Sequence, residues 1–189
     1  HTRQAPGSEA PWPELAAAAL LHDLVNLPKS DTRRGQASRL SAARSTALLA
    51  ELGALTSPAR QRVGDAIRRH SFSSGLTPKT PLDGLLADAD RLDALGAVGI
   101  ARVFAVGAML DRPLFDPFDP FARERPLDDG RFGLDHFYLK ILRLPALMCT
   151  EAGRAQAAER AAVVRQYLAA LGDELGFEAR LEPAEVQDA

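Results

Sequence analysis

Apolar positions recur at helical spacing wherever they cluster along this chain, and no stretch alternates with period two, so the pattern predicts an all-α protein. The opening HTRQAPGSEAPWP is rich in Pro, Gly and Ser and reads as a loop over 1–13. The Ala- and Leu-rich run behind it predicts a helix from Glu14 to Asn26 that is apolar almost all round. Pro28 and the polar stretch KSDTRRG interrupt the pattern. Helical spacing resumes in QASRLSAARSTALLAELG and closes on Gly53 at a C′ position. Ser57-Pro58 reads as an N-cap followed by proline at the first helical position, opening a helix that runs to about His70. Thr80-Pro81 repeats that signal and opens one long helix, LDGLLADADRLDALGAVGIARVFAVGAML. Its glycines Gly84, Gly96 and Gly99 each cost up to about 1 kcal/mol against alanine unless close packing or a bend requires them.

Four prolines and no clean period mark 111–130, DRPLFDPFDPFARERPLDDG, as an ordered loop. Its three phenylalanines, Phe115, Phe118 and Phe121, predict that it packs over the domain, beside a site or a partner subunit. Two further helices follow, about Phe132 to Met148 and Arg154 to Leu175, and the tail 181–189 is expected to fray. The expectation is a bundle-like packing of about six helices in one domain spanning 1–189.

Composition narrows the function classes. The length suffices for one real core, and 46% hydrophobic with 25% charged residues is globular. With 23 basic against 25 acidic residues the net charge is −2, so no positive field favours duplex nucleic acid. The single cysteine, Cys149, allows no internal disulfide, and no apolar run is long enough for a membrane span. A soluble cytoplasmic protein is the simplest expectation.

Two segments break the apolar pattern: ALLHDL and LLADADRLDALGA each place ionisable groups inside strongly apolar helical stretches. Burying an unpaired carboxylate is expensive, and a divalent cation can compensate several such groups at once. Adjacent helix residues diverge by about 100°, so His22 and Asp23 bracket one cation only if it lies between their directions or the helix is ending there. Asp90 and Asp93 share a helix face, while Asp88 points elsewhere. Periodicity does not choose among these acids.

The pairing of LLHDL with a downstream DADRLDALGA resembles the HD superfamily of metal-dependent phosphohydrolases, within a branch of small stand-alone bacterial hydrolases. The likeness runs through ASRLSA, AIRRHSFSSG, DADRLDALGAVGIARVFAV, DPFA, RPLDD, LDHF and ILRLP, most of the chain from Leu15 to about Gly153. It implies an HD-type helical bundle in which His22 and Asp23 form the central pair and Asp90, in its ADRL context, the terminal aspartate: three metal ligands. The family pattern opens with a further histidine on an earlier helix. His1 matches neither its spacing nor its context, so that ligand is expected upstream or absent.

Other residues are candidates around such a centre. His70 is a candidate general acid or donor to a phosphoryl oxygen, against a plain role near a helix C-terminus. Asp93 is a candidate for a supporting catalytic role, and Lys29, Arg91 and Arg39 for phosphate binding, each against an ordinary cap or ion pair. His136 reads as structural, and Trp12 and Met148 as core. The resemblance implies hydrolysis of a phosphoester or phosphoanhydride, with a nucleotide or similar phosphorylated small molecule as substrate. Mixed His and carboxylate ligands suit one divalent ion, Mn²⁺ first, with Fe²⁺, Ni²⁺, Co²⁺, Zn²⁺ or Mg²⁺ as options. The alternatives are a nucleotide sensor without turnover and a helical interaction module whose Phe-rich loop contacts a partner; a homodimer is a separate option.

Overall fold

The computed structural model describes residues 11–27 and 31–184. Among them are seven α-helices and no strand: α1 Trp12–Leu21, α2 Ala37–Glu51, α3 Ser57–His70, α4 Pro81–Asp93, α5 Gly96–Met109, α6 Asp135–Leu139 and α7 Glu151–Leu175. The all-α expectation holds. Short 3-10 turns at Arg34–Gln36, Phe72–Ser74 and Ile141–Leu147 connect them. The chain divides into two compact units, 1–90 with 149–153, and 91–148 with 154–189.

In the first unit α1, α2, α3 and most of α4 enclose a core of small and aliphatic side chains, Ala18, Leu49, Val63, Ile67, Leu82 and Leu86 among them. Buried positions along α3, Ala59, Val63, Ala66, Ile67 and His70, follow the three-and-four spacing of one helix face. Helix α1 begins at Trp12, two residues earlier than the Pro and Gly content of the opening implies, because Pro13 is tolerated in a first turn. Trp12 is exposed rather than core. The α3 cap is Thr56, not Ser57: its hydroxyl accepts the Ala59 N–H at 3.4 Å. At α4, Thr80 and Asp83 cap reciprocally. Thr80 Oγ1 accepts the Asp83 N–H at 3.2 Å and donates to Asp83 Oδ1 at 2.8 Å. Gly53 sits at φ +63 beyond α2, where the Ala54 N–H reaches back to the Leu49 carbonyl.

The second unit is built on larger side chains, with Phe121, Phe137, Tyr138, Ile141 and Leu144 packed against the α7 stripe Ala157, Ala161, Val164 and Leu168. The predicted single helix after Thr80 is in fact two. It breaks at Ala94 and Leu95, and Gly96 opens α5 at φ +72, a conformation a Cβ disfavours. Likewise the helix expected over 132–148 is α6 and a 3-10 turn, because Pro145 inside that turn has no N–H to continue an α-helix.

The loop 111–130 is ordered by its own carboxylates. Burial works against ionisation of Asp119, but the amides of Arg123, Glu124 and Arg125 hold its carboxyl below the usual range. Of its phenylalanines, Phe121 is buried and Phe115 packs on the core, while Phe118 is 88% exposed. Residues 181–184, expected to fray, are tied down: the Ala184 N–H bonds the Tyr138 carbonyl at 3.1 Å.

Candidate metal centre

Helix α1 ends at Leu21, five residues before the expected Asn26, so His22 and Asp23 lie in the turn that follows it. Ending the helix there answers the 100° problem, since neither residue is bound to a continuing helix. Helix α3 ends at His70. Both histidines use the same local device. His22 Nδ1 lies 2.8 Å from the Ala19 carbonyl and His70 Nδ1 lies 2.6 Å from the Ile67 carbonyl, each three residues back. A carbonyl oxygen only accepts, so Nδ1 donates in both rings and Nε2 is the nitrogen left to face a cation. That is how a protein orients a histidine for a cation.

The two rings stand edge to face with centroids 5.1 Å apart. Asp23 offers an oxygen to each: Oδ2 is 3.7 Å from His22 Nε2, and Oδ1 is 3.9 Å from His70 Nε2. From α4, Asp90 joins them. One ligating atom each from His22, His70 and Asp90 lies within 4.8 Å of the other two. Donors about 2.1 Å from a common ion stand up to about 4.2 Å apart, so a small inward movement closes this set on one cation. Nitrogen and carboxylate donors of this kind fit a first-row divalent ion.

Burial differs across the group. His70 is buried at 3% side-chain exposure, His22 is part-buried, and Asp23 is exposed at 69%. Exposure thus falls from Asp23 through His22 to His70. Asp88, two residues before Asp90, is engaged elsewhere. Its buried carboxylate accepts the Cys149 N–H at 2.7 Å and the Thr150 N–H and hydroxyl at 2.8 Å each.

The remaining candidates fare unequally. Asp93 is exposed and faces Arg102 at 3.9 Å; it is not in the ligating group. Arg91 is buried and donates to the Leu147 carbonyl, which gives it a structural anchor in the second unit instead of a free head for phosphate. Arg39 is exposed on α2. Lys29 and His1 lie outside the described residues. His136 has a structural partner, the Asp129 carboxylate at 2.7 Å.

Sequence reasoning missed two buried hydroxyls. The Ser45 hydroxyl donates to the Leu21 carbonyl at 3.1 Å. Ser41 Oγ accepts the Val25 N–H at 3.1 Å and donates to the Val25 carbonyl at 3.3 Å. The available signal was two serines four apart on one face of a helix.

Comparison with known proteins identifies relatives of this chain. The HD domain family matches residues 10–95. YpgQ of Bacillus subtilis (strain 168) is 34% identical over 158 residues, which cover 82% of this chain and 68% of YpgQ. The crystal structure of YpgQ in complex with ADP matches with a TM-score of 0.67 at 31% identity, over 88% of this chain and 79% of that one. An HD-superfamily hydrolase from Bacillus thuringiensis matches with a TM-score of 0.63 at 30% identity, over 87% of this chain and 74% of that one.

Proposed function

The chain belongs to the HD-domain hydrolase family, and we propose that it is a divalent-metal-dependent phosphohydrolase acting on a nucleotide or a similar phosphorylated small molecule. One observation carries the reading: His22, His70 and Asp90 converge, with Asp23 beside both histidines. Two lone pairs and two carboxylates facing one another are mutually unfavourable unless a cation, or protons, come between them. The ligands proposed are therefore His22, Asp23 and Asp90, as the family pattern implies, together with His70. Mn²⁺ is the first choice among the divalent ions.

A bound ion of this kind supplies a nucleophilic water at neutral pH and polarises a phosphoryl oxygen. The chain's own residues fix where that chemistry occurs. The carbonyls of Ala19 and Ile67 lock both imidazoles in the Nδ1–H form. His70 is the buried member of the set and Asp23 the exposed one, so substrate is proposed to approach from the side of Asp23. Nucleotide binding is supported by the ADP held by YpgQ.

The test is phosphate release from nucleoside mono-, di- and triphosphates and from non-nucleotide phosphate esters, with and without Mn²⁺. The reading expects Mn²⁺-dependent release from at least one nucleotide and its loss in Asp23→Asn. Metal uptake and nucleotide binding with no release from any of these compounds would leave a nucleotide sensor in its place.

A further inference from the structure

Ser41 and Ser45 are both fully buried on α2, and a hydroxyl at such a position costs free energy unless it is bonded. Alanine would serve helix and core better. What the two hydroxyls hold is the backbone on either side of the His22–Asp23 pair. Ser45 donates to the Leu21 carbonyl at the end of α1, which also accepts the Leu24 N–H at 3.2 Å. Ser41 takes both the N–H and the carbonyl of Val25, two residues after Asp23. The five-residue turn Leu21–Val25 is thereby pinned at both ends from one face of α2.

We propose that Ser41 and Ser45 are positioning residues that set the direction of the His22 and Asp23 donors toward His70. The inference rests on the metal reading above. A pinned turn presents its donors already gathered, so the serines act on metal affinity through the backbone and touch neither ion nor substrate. Outer partners of ligands typically change affinity or activity 10- to 100-fold.

The experiment titrates Mn²⁺ into the metal-free full chain and measures amide exchange at Val25 in the absence of metal. Ser41→Ala/Ser45→Ala should bind Mn²⁺ about tenfold or more weakly, with faster Val25 exchange. Thr56→Ala, which removes the α3 cap and touches no part of the turn, should lower Tm and keep wild-type affinity. If the double variant does not fold, the single variants decide, each expected to weaken binding less than the pair. Wild-type affinity in a folded serine variant overturns the proposal, as does an equal loss in Thr56→Ala. A wild-type chain that takes up no Mn²⁺ contradicts the metal reading instead; Val25 exchange then still decides the clamp, and unchanged protection in Ser41→Ala sinks it.

Discussion

The two units hold their acids differently. In the second, Asp135 is wholly buried and answered by the chain itself: Arg125 grips both its oxygens at 2.6 and 2.8 Å, and the Asp128 N–H adds a third bond at 2.7 Å. The first unit follows the same rule at Glu14 with Arg62 and at Asp83 with Arg69. A part-exposed group is held otherwise: His22, Asp23, His70 and Asp90 face one another with no arginine or lysine among their ion-pair partners in the described residues. Acids and imidazoles gathered without a basic side chain are the donor set that the proposed cation would complete.

This contrast is broken most severely at the closed pair. Asp135→Ala strands the Arg125 guanidinium and should cost about 3–5 kcal/mol, read from the denaturant midpoint. In the metal-free chain, His22→Ala should shift that midpoint far less, since it removes a part-exposed side chain with no ion pair to an arginine. Equal losses in the two variants would mean that the open group is structural after all.

His70→Ala sharpens the contrast within the site. As a ligand, His70 is lost together with the metal. As a general acid alone, its removal would leave metal in place and lower turnover by about 10²-fold or more. Metal content and rate measured on one preparation separate the two. The smallest effect belongs to Asp93→Asn: an exposed pair 3.9 Å from Arg102 contributes about 0–1 kcal/mol, so metal content and rate should stay near wild type. A large loss of either would return Asp93 to the site.

What could be read from the sequence was what is local. Helix starts at α3 and α4 follow from Thr, Ser and Pro side by side, and Gly53 marks its own C′ position. The break before Gly96 was hidden because a glycine in a helical pattern does not announce its φ; only packing around Leu95 fixes it. His22 and the acids Asp88, Asp90 and Asp93 stand out as polar groups in apolar runs, and only the family resemblance singles out Asp90 among them. That His70 joins them depends on how α1 packs on α3, which no spacing along the chain encodes. The same holds for Arg91: its place beside Asp90 in sequence implied a shared role, whereas its side chain turns to the Leu147 carbonyl.

The most direct test of the central claim is Mn²⁺ stoichiometry by equilibrium dialysis on wild type, His22→Ala and Asp90→Asn, with Asp93→Asn as reference. The account predicts one ion per chain in wild type and in Asp93→Asn, and little or none in the other two. Full occupancy in both His22→Ala and Asp90→Asn, or none in wild type, would contradict it.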